Sequence, residues 1–264
     1  MVDADRSELP AAEAPSILTK AFDLLRAFDS ENRVMTLSEL ARASGLPKST
    51  VHRILARLIE LGAIEHHRSA YRIGLDMLRI GSTTPAGSMR ELVLPYLASL
   101  HSWSGQAVHF GVLRQFDVVY LEKVAPPNAS HTPANIGGRV PANCTAIGKA
   151  LLAFEDPDDL SMFLPSPMPR LSSCSITSID VLMTELRQIR QGGLAREHDE
   201  VTQGFSSIAA PVIVNGFAIA GLAIGYRTGT TLDPNIPTAM RNTAAQISRD
   251  IRAALADGRT HWFP

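Results

Sequence analysis

Residues 45–53 read Gly-Leu-Pro-Lys-Ser-Thr-Val-His-Arg, and this stretch decides how the first part of the chain folds. Gly45 suits the left-handed conformation that ends a helix, and Pro47 suits the first position of the next helix, where its missing N–H group costs nothing. A helix that begins at Pro47 would bury one apolar stripe, formed by Val51, Ile54, Leu55, Leu58 and Leu61.

Two further helices are predicted upstream of this stretch. Ser16 is a predicted N-cap, and apolar residues at helical spacing follow it as far as Phe28. Thr36-Leu37-Ser38-Glu39 has the pattern of a capping box, in which Thr36 and Glu39 satisfy each other's backbone N–H groups. Two helices joined by a short turn at Gly45 predict a helix-turn-helix.

A short hairpin is predicted after this motif. Residues 63–65 and 71–73 read as strands on either side of the polar turn 66–69, with Arg68 at its tip and Arg72 on the second strand. Cations on such a wing are placed to reach the DNA backbone or minor groove. His66 and His67 are predicted to lie in a solvated turn rather than in a metal site, because adjacent side chains splay apart.

The distribution of charge supports nucleic-acid binding by this first part of the chain. The 264 residues carry 25 Lys and Arg against 26 Asp and Glu, which excludes a globally basic coat protein. Residues 1–13 have a net charge of −3 and residues 14–80 a net charge of +3, and no acid occurs from Leu46 to Ile59. A phosphate-binding surface requires such an acid-free stretch. The alternative is an ordinary helical hairpin with a solvated basic face.

The candidate DNA contacts lie at the starts of the second and third helices and on the wing. Side chains in the first turn of a recognition helix reach base edges, and its backbone N–H groups suit a phosphate. The candidates are Thr36, Ser38, Pro47, Lys48, Ser49, Thr50, His52, Arg53, Arg57, Arg68 and Arg72.

Residues 16–74 resemble the winged-helix domain of IclR-type (isocitrate lyase regulator) transcription factors. The resemblance is carried by residues 45–53, by Leu37-Ser38-Glu39-Leu40-Ala41-Arg42 and by Tyr71-Arg72-Ile73-Gly74. It continues through Val119–Val124, Cys144–Ala153 and the stretch from Gly204 to Val212, and so covers nearly the whole chain. It implies a GAF-like sensor sheet in the larger domain and repression as the usual outcome. One winged module makes too few phosphate contacts for tight specific binding, so a dimer on a pseudo-palindromic operator is expected.

The remaining sequence predicts an α+β domain, with an antiparallel sheet covered by helices. Residues 208–224 are almost wholly apolar, but Asn215-Gly216 is a strong hairpin signal and predicts strands at 207–214 and 217–226 rather than a membrane span. The predicted division is a disordered tail at 1–13, a winged helix-turn-helix domain at 14–75, a linker helix and hinge at 76–88, an effector-binding and oligomerisation domain at 89–258, and a tail at 259–264. The breaker-rich run 82–88 marks the boundary.

A ligand site is predicted where a helix starts near Cys144, because free N–H groups at a helix start suit a carboxylate. The resemblance implies that an effector lies between this helix start and the sheet, in contact with Cys144, Thr145, Ala146, Glu197, Ser207, Ala223 and Gly225. His109 is a further candidate, although a hydrogen-bonded structural histidine fits the pattern equally well.

Two departures from the family pattern bear on the effector. Members that bind small keto acids have serines at the positions of Ala223 and Gly225, and cysteine is common at the position of Ser207. The chain is therefore expected to have a roomier, less polar wall and to bind an aromatic or alicyclic acid rather than a two- or three-carbon keto acid.

Two other classes of function are compatible with parts of the sequence. An enzyme would need Cys144 as nucleophile with His109 or His198 as base, and neither a GxSxG nor an HExxH motif is present. The other alternative is an interaction module whose helix-turn-helix binds a protein.

Two cysteines are too few for a disulfide scaffold or a four-thiolate zinc site. Residues 197–200 are expected to be a solvated acidic loop, and the alternative is that they bind a divalent metal. The prediction is a cytoplasmic, ligand-responsive repressor of a catabolic operon, a homodimer or homotetramer without cofactor or enzymatic activity.

Overall fold

The computed structural model describes residues 16–29, 32–126, 134–156, 160, 162 and 164–257. The tails predicted at 1–13 and 259–264 lie outside these residues. The chain divides into two compact units, Met1–Thr83 and Thr84–Pro264.

The first unit is a winged helix-turn-helix. Its elements are α1 (Ile17–Arg26), α2 (Leu37–Ser44), α3 (Lys48–Glu60), β1 (Ile64–His67), β2 (Ala70–Ile73) and α4 (Leu75–Ser82). The capping box at Thr36 is present, and Gly45 ends α2 with a φ of 66°. Pro47 is the N-cap of α3 rather than its first residue, so the helix begins at Lys48, one position later than predicted. The strands β1 and β2 pair antiparallel, and the backbone of Met35 bridges Tyr71 on the open side of β2.

The core of the first unit follows the predicted stripe of α3 with one exception. Val51, Ile54, Leu55 and Leu58 are buried against α1 and α2, whereas Leu61 is 70% exposed because α3 ends at Glu60 and its side chain lies beyond the packed turns. Ile17, Leu18 and Phe22 on α1 are also exposed, as are Leu75, Leu78 and Ile80 on α4.

The second unit is built on a six-stranded antiparallel sheet in the order β5-β4-β3-β8-β7-β6. Its strands are β3 (Ala107–Arg114), β4 (Asp117–Val124), β5 (Arg139–Pro141), β6 (Ala195–His198), β7 (Phe205–Val214) and β8 (Phe217–Arg227). The predicted hairpin at Asn215-Gly216 is confirmed, since both residues have positive φ. In the part of the chain that the structure describes, no helix has the length and apolar character needed to cross a membrane.

Helices cover both faces of this sheet. On one face α5 (Pro85–Ser104) and α8 (Ile236–Ala256) pack against alternate large residues such as Val108, Phe110 and Ile224. On the other face α6 (Ala146–Leu152) and α7 (Ile179–Gly192) pack against small residues such as Ala209 and Ala223. The small residues let α6 approach the sheet closely, which makes this face the candidate for ligand binding.

The predicted break over residues 82–88 is shorter in the structure. Only Thr83 and Thr84 separate α4 from α5, so Gly87 and Ser88 are helical. Thr84 is the N-cap of α5 and Pro85 its first residue, where proline is favoured. The proline that looks like a breaker in the sequence therefore starts a helix.

Candidate DNA-contact surface and ligand-binding face

The exposed side of α3 carries the predicted DNA contacts in its first two turns. Pro47, Lys48, Ser49, His52 and Arg53 are exposed, and Thr50 is half-buried. Within the described residues Lys48 and Arg53 form no ion pair, so both charges are free to meet phosphates or base edges. This set of six residues is called the recognition face below.

Three of the other predicted cations differ in how far their charge is already compensated. Arg57 forms an ion pair with Glu60 one turn along α3. Arg72 on β2 binds Glu65 on β1, with 2.9 Å between its guanidinium and the carboxylate, and the pKa of Glu65 is lowered by the Leu75 N–H group and by Arg72. Arg68 is exposed at the wing tip with a φ of 57°. We therefore expect Arg57 and Arg72 to contribute less to DNA binding than the recognition face.

Thr36 and Ser38 play different parts at the start of α2. The Thr36 hydroxyl donates to the Glu39 carboxylate at 2.9 Å and accepts from the Glu39 N–H group at 3.3 Å. The Thr36 backbone N–H group also donates to this carboxylate, at 2.7 Å, and this bond, followed by the bond from the hydroxyl, lowers the pKa of Glu39. Thr36 is therefore mainly structural. Ser38 is exposed in the first turn and is the freer of the two to meet a phosphate.

The predicted effector residues on the strands share the sheet face that α6 covers. Glu197 on β6 pairs with Ser207 on β7, and Ser207 pairs with Gly225 on β8. In the next row on the same face, Ala223 pairs with His109 on β3. The structure thus brings together on one face five residues from four strands.

Glu197 is the central acid of this face. It is 1% exposed, and its two oxygens accept from the Glu200 N–H group at 2.7 Å, the Val201 N–H group at 3.3 Å and the Ser207 hydroxyl at 3.0 Å. Burial raises its pKa to about 7 despite these donors. The carboxyl can therefore carry or release a proton near neutral pH.

His109 is a buried histidine with one ring nitrogen that has no hydrogen-bond partner within the described residues. It is 3% exposed, and its Nε2 atom has no hydrogen-bond partner there. Burial and then the charge of Lys123 lower its pKa to about 3, so the imidazole is neutral. The expectation of an internally satisfied structural histidine is not supported at Nε2.

The start of α6 offers less to a carboxylate than its sequence predicts. The Thr145 hydroxyl accepts from the Gly148 N–H group at 2.9 Å, so one of the free donors is used internally. Ala146 is buried. Gly148 is required by close approach, since an added Cβ would lie 2.2 Å from the Ala142 carbonyl oxygen. A helix of seven residues with one donor occupied cannot by itself define a ligand site.

Cys144 lies in a 3-10 turn just before α6 and has the properties of a buried thiol. Its Sγ atom lies 3.7 Å from the Pro169 carbonyl oxygen, and burial raises the pKa of the thiol. A protonated thiol is a poor nucleophile, which speaks against the enzyme alternative.

The expectation of a roomier wall is wrong at Gly225. A Cβ at Gly225 would lie 2.5 Å from the Phe205 ring and 3.2 Å from His109 Cε1, so an aromatic side chain occupies the space that a serine would fill. The wall is still less polar than one with serines, but the Phe205 ring fills the space at Gly225, so the wall is not roomier there.

Sequence reasoning missed a buried ion cluster beside this face. Lys149 on α6 is 1% exposed, and its Nζ atom lies 2.7 Å from Glu200 and 2.7 Å from Glu185 on α7. The expectation of a solvated acidic loop is therefore wrong for Glu197 and Glu200, both of which are buried. Burial alternates along β6, with Ala195 and Glu197 inside, but Ala-Arg-Glu-His shows no apolar alternation, so no signal in the sequence indicates a buried Glu197. Within the described residues, no group of three His, Cys, Asp or Glu side chains is arranged to hold a metal.

Comparisons with known proteins identify the two units. A family model for the IclR helix-turn-helix domain matches residues 17–68, and one for the C-terminal part of bacterial IclR transcriptional regulators matches residues 83–249. The glycerol operon regulatory protein of Streptomyces coelicolor is 31% identical over 89% of this chain and 96% of its own length. The regulator KdgR of Escherichia coli is 30% identical over 93% of this chain and 95% of its own.

Solved structures share the fold. The IclR of Thermotoga maritima has a TM-score of 0.72 and 25% identity, over 89% of this chain and 98% of its own. An IclR homologue from Microbacterium hydrocarbonoxydans, crystallised with 4-hydroxybenzoate, has a TM-score of 0.79 and 24% identity, over 90% of this chain and all of its own. The predicted fold class is confirmed, and the relatives are regulators rather than enzymes. The chain belongs to the IclR family of DNA-binding transcriptional regulators.

Proposed function

We propose that this regulator represses a catabolic operon, and that its affinity for the operator changes when a small aromatic or alicyclic acid binds its second unit. In this proposal residues 14–75 bind DNA, 76–88 form the linker helix and hinge, and 89–258 bind the effector and assemble the oligomer. The site of action is the cytoplasm, where the operator is. The observation that carries the proposal is the recognition face, an exposed helix start whose two cations lack ion-pair partners within the described residues.

The recognition face would enter the major groove, with Ser38 and Arg68 on flanking phosphates. One winged module makes few phosphate contacts, so tight specific binding requires a second copy on a half-site about 34 Å away or a multiple of that. The exposed apolar residues of α1 and α4 are suited to that homodimer, or to a homotetramer built from it.

The effector would bind on the α6 face, in contact with Glu197, Ser207, Ala223, Gly225 and His109. Cys144, Thr145 and Ala146 border the same face. Two aromatic rings, those of Phe205 and Tyr120, flank His109 and favour a flat ligand. The homologue crystallised with 4-hydroxybenzoate supports an aromatic acid as the class. To act, the acid must bind one arrangement of the DNA-binding units better than another.

Calorimetry on the full-length protein tests the ligand class. We expect 4-hydroxybenzoate to bind more tightly than pyruvate or glyoxylate, and to change the gel shift of DNA taken from upstream of the protein's own gene. Tighter binding of either keto acid would contradict the proposed class. Gel shifts that are identical with and without a bound aromatic acid would contradict regulation by it.

A further inference from the structure

His109 lies where the α6 face of the sheet is lined by small residues. Its strand neighbours in register are Ala223 on β8 and Lys123 on β4. The Cα of Gly225 lies close to the ring, because a Cβ built there would be 3.2 Å from Cε1. The imidazole is thus held over the floor formed by Ala223 and Gly225, on the face that α6 covers.

The Nε2 atom of His109 is fully buried and has no partner among the described residues. Buried polar atoms in folded proteins nearly always have a hydrogen-bond partner, and the exceptions call for a reason such as a missing ligand or water. A phenylalanine would fill a similar volume without this cost. The unpartnered nitrogen therefore indicates a group that binds there when the site is filled.

The surroundings of His109 restrict the shape of the ligand that carries this group. The Tyr120 ring meets the imidazole edge-on, with 5.8 Å between centroids, and the Phe205 ring lies over Gly225. Two rings beside a floor of small side chains would pack against a flat, largely apolar body, because aromatic rings pack well edge-to-face or offset.

The charge state of His109 restricts the chemistry of the ligand group that meets Nε2. Burial, followed by the nearby charge of Lys123, lowers the pKa of His109 to about 3, so the ring is neutral at physiological pH. A neutral imidazole exchanges one hydrogen bond at Nε2 and cannot form an ion pair with a carboxylate. A hydroxyl matches this atom whichever ring nitrogen carries the proton, and a carbonyl oxygen matches it when Nε2 is protonated. A carboxylate can also accept from Nε2–H, but it would be buried against a neutral ring without an ion pair, which costs more free energy than burying an uncharged group.

We propose that His109 Nε2 is the contact for an uncharged hydroxyl or carbonyl group of the effector, and that it selects ring acids with such a second polar group over the same acids without it. This inference rests on the proposed function, because it assumes that an aromatic or alicyclic acid binds the α6 face. The inference adds which atom of the protein binds the second polar group of the ligand.

The test is a cycle of two ligands and three proteins, measured by calorimetry on the full-length chain. The ligands are 4-hydroxybenzoate and benzoate, which differ only in the hydroxyl group. One hydrogen bond corresponds to roughly a threefold to tenfold difference in affinity, so the parent protein should prefer 4-hydroxybenzoate by about that factor. In His109→Phe the preference should fall to about onefold, while benzoate binds about as well as before.

Two further variants separate this role from a structural one. His109→Gln keeps a polar group near Nε2 and should retain part of the preference. Tyr96→Phe removes a hydroxyl that donates to Asp250 on the other side of the sheet, and should leave the preference unchanged. The ligand-free His109→Phe protein should also be at least as stable to heat as the parent, because an unpartnered buried nitrogen is removed.

The outcomes are distinct. If both acids bind His109→Phe with the parent's preference, or if both weaken equally, the inference is overturned while the proposed ligand class stands. If neither acid binds the parent, the ligand class fails and the inference fails with it.

Discussion

Replacing Lys149 with methionine tests the buried ion cluster that sequence reasoning missed. Lys149 is 1% exposed and bridges Glu200 and Glu185, with 2.7 Å to an oxygen of each. Methionine keeps most of the apolar volume and removes the charge. We expect Lys149→Met to fold and to be much less stable, because Glu200 would remain buried without its cation.

The magnitude follows from the exposure of the two acids. Removing one partner of a buried pair costs about 3–5 kcal/mol. The Glu185 side chain is 27% exposed and can turn into solvent, whereas that of Glu200 is 8% exposed and cannot. The lower end, about 3 kcal/mol, therefore applies, and it corresponds to a fall in Tm of about 6–12 °C for a unit of this size.

Differential scanning calorimetry of the full-length protein at two pH values is the assay. Lys149 lowers the pKa of Glu200, so its loss raises that pKa further above the ordinary value of 4.5. A carboxyl with a raised pKa in the folded state destabilises the protein as pH rises, so the deficit should shrink from about pH 7.5 to about pH 5. The double variant Lys149→Met with Glu200→Gln should recover most of the loss. A deficit under about 1 °C, or one that grows on acidification, would refute the reasoning.

Three other predictions concern single residues. Folding raises the pKa of Glu197 from 4.5 to about 7, so the parent protein should lose stability as pH rises through this range. Glu197→Gln should lose less stability between about pH 5 and pH 8. An equal loss for the two proteins in thermal melts would contradict the buried carboxyl. Gly148→Ala would place a Cβ 2.2 Å from a backbone carbonyl oxygen and should cost about 3 kcal/mol or more. The Cβ of Gly192→Ala would meet no atom of the described residues within 4 Å, and this variant should be neutral in the same denaturation assay. Arg57→Ala should weaken DNA binding less than Arg53→Ala in gel shifts, because Arg57 already has an ion-pair partner, and the reverse order would contradict that ranking.

Features set by a few neighbouring residues could be predicted from the sequence. The capping box joins Thr36 to Glu39 three positions away, and the hairpin turn needs only Asn215 and Gly216, so both follow from local chemistry. The stripe of α3 is likewise a property of one helix. These elements largely specify the first unit and the antiparallel character of the second.

Features that depend on distant residues could not be predicted in the same way. Lys149 meets Glu200 only because α6 packs beside the loop after β6, 51 positions along the chain. The space at Gly225 is filled by Phe205 from another strand, which no pattern around Gly225 indicates. That Nε2 of His109 has no partner among the described residues can be recognised only once the neighbours of the ring are known. The motif could name positions on the ligand face, but packing decides what they can bind.

The most direct test of the account is the salt dependence of DNA binding by the double variant Lys48→Ala with Arg53→Ala. Each phosphate contact contributes about 1 to the slope of log K against log salt concentration. The account predicts that the double variant binds DNA from upstream of its own gene more weakly than the parent, with a slope reduced by about 2. Arg187→Ala, on α7 of the second unit, should have the parent's affinity and slope. Unchanged affinity and slope in the double variant would contradict the recognition face as the DNA-binding surface.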